Sequence, residues 1–390
     1  MLRRSTIDQN PRFGQYGVRL AVVIYVLVLA AVSWFYPRAQ WDMVAYTAVA
    51  IEGEASSASQ LHAASWAAVQ ARVSEGEFIE LTADRPYRVA QYADADAFAS
   101  VLPFYRIKLL YVELASLLSD FMQPVDALRL ISTVSVLAVG LVCLLWVWPS
   151  ARGADGFIIV PLLALCDLGY LGQYVTPDLF SAAFLLGGAL LWMRGAGWIA
   201  VVPLLLAILA RPDHLVFAGL LMLAAAGLRT AWRPLVALLG LAVPSYFAIS
   251  HFADHPGWWV HFWFSNVEMV ASVEGFEPAF SPAIYMGALI KGAVRSLVTE
   301  SWWAVLSLQL LALAFIAPSC RTMDRRVLTL IVAAIGAIPA KFLIAPMYET
   351  RFYTPYLLIA GLCLIEPTRK AFRARRSGGA SDGLPENVRL

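Results

Sequence analysis

Long apolar stretches, separated by short polar segments that often contain arginine, follow one another along most of the chain. These stretches are roughly 13 to 20 residues long, and a helix needs about 20 residues to cross a bilayer. The pattern therefore predicts an all-α fold: a polytopic transmembrane helical bundle of about ten membrane segments. The predicted segments are 20–36, 128–147, 156–173, 179–193, 198–210, 212–227, 234–251, 299–318, 327–345 and 353–366.

Two neighbouring segments, 198–210 and 212–227, are too short to cross independently. Arg211-Pro212 separates them, and proline interrupts a helix, so we predict a hairpin that enters and leaves on the cytoplasmic side. The stretch 102–121 is also apolar, but counting it as a span would place the later arginine clusters outside. We therefore predict an interfacial helix on the outer face there.

The composition favours a membrane protein over a soluble one. Hydrophobic residues make up 60% of the chain and charged residues 14%, whereas soluble domains carry about 25% charged residues. The 13 tryptophans and a mean hydropathy of +0.68 point the same way. These values exclude an ordinary soluble enzyme and the secreted, collagenous, disordered and nucleic-acid-binding classes. The four cysteines have no metal-ligand spacing, so neither a zinc site nor a disulfide framework is predicted.

The placement of arginine predicts the orientation. Arginines precede the first segment, which we interpret as a retained signal anchor, while the outer loop 37–127 is rich in acidic residues. The remaining clusters all face the cytoplasm in the ten-segment arrangement; they are Arg152, Arg194, Arg229 with Arg233, Arg321 with Arg325 and Arg326, and Arg369 to Arg376. Both termini are then cytoplasmic. A second outer loop, 252–298, carries tryptophans suited to the headgroup level, and 367–390 is predicted to be a basic, partly disordered tail.

Ionisable residues gather at the outer ends of the predicted segments. They are Asp42 in QWDMVAY, Asp178 in YVTPDLF, Arg211, Asp213 and His214 in LARPDHLVF, and Glu349 and Arg351 in MYETRFYTPY. A charge at a helix centre costs roughly 2.5–3.5 kcal/mol on insertion scales, so such residues are functional candidates. We predict that they form one site.

Most of these residues also have a structural interpretation. Asp42, beside Trp41 at the membrane surface, is typical of the first turn of an interfacial helix, and Asp178 after Thr176-Pro177 fits a capped helix start. In Arg211-Pro212-Asp213, the proline explains a helix break but not the two charges beside it.

Four other charged residues have equally simple alternatives. Glu349 and Arg351 fit a salt bridge at the rim, worth under about 1 kcal/mol. Arg106 and Lys108 fit long side chains that reach lipid headgroups.

Histidines in the second outer loop raise the question of a metal. His251 and His255 are four residues apart with Asp254 between them, a spacing that suits a metal on a helix. Pro256-Gly257 disfavours a continuous helix there. We therefore interpret both histidines, and His261, as part of an aromatic loop at the membrane surface. No metal site is predicted, although a divalent cation at the outer carboxylates remains an alternative.

The order of these features resembles the GT-C superfamily of polyprenyl-phosphate-sugar-dependent glycosyltransferases, related to the protein mannosyltransferase and lipid A aminoarabinose transferase group. The shared features are one span, a large outer loop that opens with a WD motif, TPD at the outer start of a helix, a hairpin broken at RPD, and ETRFYTP before a late span. The resemblance covers most of 20–366. The chain departs from it in lacking a soluble C-terminal domain, and in carrying Met43 where several relatives have a second acid.

The resemblance implies a sugar donor whose lipid is in the membrane and whose head lies at the outer surface. Asp42 would be the general base on an acceptor hydroxyl, with inversion at the anomeric carbon, and Asp178 and Asp213 would orient the site. A departing polyprenyl phosphate needs charge neutralisation. The candidate substrate-binding residues are Arg106, Lys108, Arg211, His214, Glu349, Arg351 and Tyr353.

The sequence also allows two other functions. A broken hairpin with charges is also typical of a transporter or flippase, although no inverted repeat is visible and both large loops lie on one side. A catalytically silent scaffold is the third, because a fold does not fix a function. The expected partners are a polyprenyl-phosphate-linked sugar, membrane lipids and an acceptor of unknown identity, with no nucleic acid. The expected location is a bacterial plasma membrane, with the active site extracytoplasmic.

Overall fold

The computed structural model describes residues 11–147, 158–318 and 323–378, and within these ranges the chain forms helices and turns with no strand. The predicted all-helical fold is therefore confirmed. In the described part, three helices are long and apolar enough to cross a membrane alone: Pro124–Val147, Arg233–Phe252 and Arg325–Ile344. A bent pair, Pro282–Thr299 with Trp302–Ile316, qualifies as a fourth when taken together. Arg152 and Arg321 of the predicted arginine clusters, one of the four cysteines (Cys320) and the predicted tail from 379 onward lie outside the described residues.

The α-helices, in chain order, have the following bounds. The first eight are α1 (Pro11–Phe35), α2 (Trp41–Ile51), α3 (Ala58–Gln70), α4 (Glu75–Ala83), α5 (Pro86–Ala93), α6 (Ala95–Val101), α7 (Pro103–Arg106) and α8 (Leu109–Ser119). The next seven are α9 (Pro124–Val147), α10 (Ile159–Leu165), α11 (Leu168–Gln173), α12 (Pro177–Met193), α13 (Gly197–Ala210), α14 (Leu215–Gly227) and α15 (Arg233–Phe252). The last five are α16 (Trp258–Asn266), α17 (Pro282–Thr299), α18 (Trp302–Ile316), α19 (Arg325–Ile344) and α20 (Thr354–Gly378).

The single helix predicted over 102–121 is wrong, because the chain is interrupted between α7 and α8. Pro103 starts α7, and α8 begins only after Ile107 and Lys108. At the interruption the Lys108 ammonium donates to the carbonyl oxygen of Phe104. The break therefore places a cation among buried neighbours instead of on a continuous helix surface.

The segment predicted over 156–173 is also interrupted, between α10 and α11. Asp167 has a left-handed backbone with φ of 57°, a conformation that aspartate tolerates better than most residues. The carbonyls freed at the break find side-chain donors, since the Ser301 hydroxyl donates to Leu165 and the Thr354 hydroxyl to Cys166. Such pairing is what non-helical backbone requires inside an apolar bundle.

The regions predicted as loop and tail contain more helix than expected. The second outer loop, 252–298, includes α16 and most of α17, and α17 meets α18 at an angle of 85°. The tail predicted from 367 continues α20 as far as Gly378. The part of the predicted tail up to Gly378 is therefore helical, and its remainder lies outside the described residues.

Two hydrophobic cores meet in this fold. Helices α2–α8, which we call the cap, enclose one core together with α16 and the N-terminal end of α9. Helices α1, α9–α15 and α18–α20, which we call the bundle, enclose the other. Trp41 was predicted at the membrane surface, but it is buried in the cap core against the rings of Trp66, at 5.7 Å, and Tyr87, at 5.6 Å.

Glycine at 292 allows α17 to pack against the segment that follows α19. A Cβ atom at 292 would lie 2.5 Å from the carbonyl oxygen of Pro346, whereas one at Gly287, in the same helix, would meet nothing within 4 Å. We expect Gly292→Ala to lower the free energy of unfolding by about 1–3 kcal/mol through overpacking. Gly287→Ala is the matched control, and it should raise stability by about 0.5–1 kcal/mol. Thermal unfolding of both variants in detergent tests the pair, and equal effects would contradict the packing.

Candidate functional site

A network of charged side chains lies where the cap and the bundle meet. Its carboxylates are Asp42, Asp178, Asp213 and Glu349, and its cations are Arg211, Lys341 and Arg351. These residues come from α2, α12, the α13–α14 break, α19 and the turn before α20. Four short motifs that are far apart in the sequence therefore meet in one place.

The break between α13 and α14 contributes the first pair. Arg211 ends α13 in an extended conformation, and Pro212 opens a 3-10 turn that carries Asp213. The Arg211 guanidinium binds Asp213 with two hydrogen bonds of 3.1 Å each, and it also pairs with Asp178. Paired geometry of this kind is strong because both contacts are charge-assisted.

Asp178 is the most buried carboxylate of the network, with only 3% of its side chain exposed. Pro177 is the first residue of α12 and Thr176 is its N-cap, as the structural interpretation of TPD predicts. The Thr176 hydroxyl, however, donates to the Asp178 carboxylate at 2.6 Å and caps no backbone N–H. The motif therefore serves both to start the helix and to hold the carboxylate toward Arg211.

Arg351 connects the cap to the bundle. Its Nη1 lies 3.1 Å from the Asp42 carboxylate and 3.7 Å from Asp178, and its Nε pairs with Glu349. The opposite oxygen of Asp42 accepts a 3.1 Å hydrogen bond from the Tyr105 hydroxyl. Burial and the nearby Asp42 charge raise the pKa of Tyr105, so this hydroxyl stays protonated and donates. Asp42 is thus oriented from two sides.

The ring of Phe352 lies among all three cations of the network. The Arg351, Arg211 and Lys341 charges are 4.8, 5.1 and 5.4 Å from its centroid. An aromatic face attracts cations electrostatically, by about 2 kcal/mol or more where water is excluded. Phe352 therefore offsets part of the repulsion among three like charges held close together.

The turn that carries Glu349 and Arg351 is held by polar contacts from three sides. The Glu300 carboxylate accepts from the backbone N–H and the hydroxyl of Thr350, at 2.8 and 2.9 Å. The Trp302 indole N–H donates to the Tyr348 carbonyl at 2.9 Å. The Lys341 ammonium donates to the Phe352 carbonyl at 2.7 Å and also pairs with Asp213. Lys341 thus ties this turn to the break in the hairpin.

Lys108 lies beside the network without a carboxylate partner among the described residues. Its ammonium donates to the Phe104 carbonyl and lies 5.3 Å from the centre of the Tyr105 ring, whose hydroxyl holds Asp42. Burial, together with the positive charge of Arg211, lowers the pKa of Lys108 to about 7. An anion that enters the site would stabilise the charged form of Lys108.

Three of the predicted substrate-binding residues make contacts elsewhere. Arg106 pairs with Glu52 in the cap, with one bond of 2.9 Å. His214 is buried, with its two ring nitrogens 2.9 Å from the Tyr356 hydroxyl and 3.0 Å from the Ser181 hydroxyl. Tyr353 is buried as well, and its hydroxyl donates to the Met347 carbonyl at 2.6 Å. All three positions are those of residues that support the fold around the network.

The histidines of the predicted second outer loop do not share a helix, as the position of Pro256-Gly257 indicates. α15 ends at Phe252, and the exposed His251 ring packs against the Phe252 ring, whereas Nε2 of His255 lies 3.0 Å from Nδ1 of His261. Within the described ranges, no group of three or more histidine, cysteine, aspartate or glutamate side chains could hold a metal ion. The carboxylates of the network face cations, which is a poor arrangement for binding a further cation.

Lys341 and Phe352 are site residues that the sequence reasoning missed. Lys341 is the only lysine or arginine in α19 after its first turn, inside a segment predicted to lie in the membrane. An ionisable residue in such a segment is a functional candidate by default, so a usable signal was present. Phe352 gave no comparable signal, because aromatic residues are common throughout this chain.

The comparisons with known proteins add no relative. No protein-family model matches the chain, and neither a curated protein nor a solved structure matches it. The resemblance to GT-C glycosyltransferases thus rests on the motifs alone.

Proposed function

We propose that this chain is a multi-pass membrane glycosyltransferase with a GT-C-like fold. It transfers a sugar from a polyprenyl-phosphate-linked donor to an acceptor on the extracytoplasmic side. The observation that carries the proposal is the meeting of the WD, TPD, RPD and ETRF motifs in one charged network, although Asp42 and Arg351 are 309 residues apart. Packing alone gives no reason to bring scarce charges together in an apolar protein.

Asp42 is the carboxylate best suited to act as the general base. Asp213 faces two hydrogen bonds from Arg211 and an ion pair with Lys341, and Asp178 is nearly sealed from solvent. Asp42 accepts one hydrogen bond on each oxygen, and 26% of its side chain is exposed. An ionised carboxylate oxygen has two lone pairs, so each oxygen of Asp42 keeps one for an acceptor proton.

The reaction follows from this arrangement. The acceptor hydroxyl gives its proton to Asp42 as its oxygen bonds to the anomeric carbon of the donor. The bond from that carbon to the phosphate oxygen breaks, and polyprenyl phosphate leaves with the electron pair. Attack opposite the leaving group inverts the anomeric configuration. Asp178 and Asp213 act by positioning Arg211, Lys341 and Arg351, whose charges stabilise the departing phosphate.

Lys108 is the cation most available to bind that phosphate. Arg211, Lys341 and Arg351 are each paired with carboxylates, and Arg106 is paired with Glu52. An ammonium among buried neighbours with only a carbonyl for a partner gains strongly when an anion arrives.

A ten-segment arrangement in a bacterial plasma membrane, with both termini in the cytoplasm, completes the proposal. Beyond the helices long enough to cross alone, the apolar helices of the bundle that are too short to do so fit the predicted hairpin and broken spans. The network then lies at the outer ends of the segments that carry it, next to the cap.

A donor panel tests the function. The purified full chain in detergent would be given several polyprenyl-phosphate sugars and candidate acceptors, with release of polyprenyl phosphate as the readout. Donor-dependent release that requires an acceptor supports the transferase. Movement of a lipid-linked sugar across sealed vesicles without release would support a carrier instead, and no response to any lipid-linked sugar would leave a scaffold.

Lys108 predicts a pH dependence for donor binding. Its pKa of about 7 means that the charged form is lost as pH rises through 7, so we expect the affinity for polyprenyl phosphate to fall by up to about tenfold per pH unit above 7. The charged or titratable groups that act on Lys108 or lie near it are Arg211, Arg351, Asp42, Asp213, His255 and His261.

The lowered pKa of Lys108 has the opposite effect on the stability of the free protein. A lysine with a lowered pKa binds fewer protons in the folded state, so its contribution to the free energy of unfolding rises between about pH 7 and 10.5. Binding and thermal stability measured across this range should therefore move in opposite directions. In Lys108→Met both slopes should flatten, and unchanged slopes would contradict the assignment.

A further inference from the structure

A short chain of hydrogen bonds fixes how the protons are placed on His255 and His261. The backbone N–H of Gly257 lies 3.2 Å from Nδ1 of His255. A backbone N–H can only donate, so Nδ1 accepts, and in a neutral ring the proton of His255 is on Nε2. That Nε2 lies 3.0 Å from Nδ1 of His261. Nδ1 of His261 therefore accepts in turn, and the proton of His261 is on its own Nε2.

Both rings are neutral near pH 7, as this reasoning requires. Burial and the positive charge of Lys108 lower the pKa of His255 to about 4. The same two causes, in the same order, lower the pKa of His261 well below its ordinary value. The position of each proton follows from the bonding pattern, since a neutral imidazole has one donor and one acceptor.

The Nε2–H of His261 is left as an unused donor. Among the described residues no group accepts from it, and the side chain keeps some solvent exposure. The ring is held in place by stacking on Phe104, with centroids 4.5 Å apart and planes 24° apart. The Phe104 carbonyl in turn accepts from the Lys108 ammonium. A fixed N–H donor and a cation without a carboxylate partner are thus held by one residue.

The Lys108 ammonium and the Nε2–H of His261 lie next to the charged network. Lys108 lies over the ring of Tyr105, and the Tyr105 hydroxyl holds Asp42. Phosphate oxygens accept strong hydrogen bonds from cations and from N–H groups placed together. No carboxylate in the described ranges contacts either Lys108 or His261, so an entering anion meets no acceptor that competes for these donors.

We propose that His261 is a further substrate-binding residue, whose Nε2–H donates to a phosphate oxygen of the lipid-linked donor beside Lys108. His255 is the positioning residue that fixes the proton on His261. The inference rests on the proposed function, because it assigns a contact to the same donor.

Binding of undecaprenyl phosphate to the purified full chain in detergent tests this assignment. Because His261→Phe loses a hydrogen bond to a charged oxygen, we expect this variant to bind undecaprenyl phosphate about 10- to 100-fold more weakly. His261→Gln places an amide N–H close to the position of Nε2, so it should remain within about threefold of the unchanged protein. His251→Phe is the matched control, since His251 is exposed and its ring packs against that of Phe252, and this variant should bind normally.

Undecaprenol and inorganic phosphate separate the possible outcomes. Binding of undecaprenyl phosphate but not undecaprenol, with His261→Phe equal to the unchanged protein, overturns the role of His261 and leaves the transferase standing. Equal binding of undecaprenol, or no binding of either lipid, removes both proposals. A His261-dependent response to inorganic phosphate alone would overturn the lipid-linked assignment.

A second measurement does not depend on the variants folding. The ring nitrogens of His261, labelled with ¹⁵N, should report a proton on Nε2 in the free protein. Addition of undecaprenyl phosphate should shift the Nε2 signal. A proton on Nδ1, or no shift at a saturating lipid concentration, contradicts the proposal.

Discussion

We expect Asp42→Asn to lower the rate of the proposed sugar transfer by about 10²–10⁴-fold, the usual contribution of a general base. Asparagine keeps the shape of the side chain and can still accept from the Tyr105 hydroxyl, which lies 3.1 Å from Asp42 in the native protein. It cannot take a proton from an acceptor hydroxyl. We expect the loss in kcat, with the affinity for the polyprenyl-phosphate donor changed much less, because Asp42 is not a ligand of the phosphate in the proposed site. Steady-state turnover and direct donor binding separate the two quantities.

Asp120→Asn provides the control for that result. Asp120 is an exposed residue that ends α8 in the same cap, and it takes no part in the network. The same change of charge there should leave turnover as it is. Full activity of Asp42→Asn would show that another group, or none, removes the proton.

We expect Arg211→Met to lower the free energy of unfolding by about 3–5 kcal/mol, because it leaves buried charge without its partner. Only 3% of the Asp178 side chain is exposed, and after the change its remaining cation is Arg351, at 3.7 Å. Asp213 keeps Lys341, so the uncompensated charge is mainly that of Asp178. Thermal unfolding in detergent, followed with and without a donor lipid, measures the loss.

A second substitution distinguishes lost charge balance from lost packing. Arg211→Met combined with Asp178→Asn removes the buried unpaired carboxylate, so the double variant should recover part of the stability. Lys291→Met, at an exposed lysine on α17, makes the same kind of change outside the network and should have little effect. If the double variant is as unstable as the sum of its two single variants, the charge explanation fails.

The helical fold could be predicted from the sequence because hydropathy reports directly which stretches avoid water. The predicted segments 128–147, 179–193, 198–210 and 327–345 agree closely with α9, α12, α13 and α19. Hydropathy cannot report a break that tertiary contacts compensate. At the break beside Asp167, the freed backbone carbonyls accept from the hydroxyls of Ser301 and Thr354. Both donors are more than 130 residues away in the sequence, and no local sequence pattern predicts them.

The candidate site was predictable for a different reason. Charges are scarce in the apolar stretches, so Asp178, Arg211 and Asp213 stand out even without a structure. Which charges pair cannot be predicted, because pairing depends on how the cap and the bundle meet. Arg106 and Lys108 show this well: they are two residues apart, yet one pairs with Glu52 and the other lies beside the network. The hydrogen bond between His255 and His261 depends equally on the turn at Gly257.

The spacing of the ion pairs along the chain sets the order in which they can form as the protein is made. Arg211 and Asp213 are two residues apart, so they can neutralise each other as soon as this hairpin leaves the ribosome. Asp42 and Arg351 are separated by 309 residues. At a synthesis rate of about 5–20 residues per second, Arg351 is made about 15–60 s after Asp42. Asp42 therefore has no Arg351 partner, only the Tyr105 hydroxyl in the cap, until the turn before α20 has been synthesised.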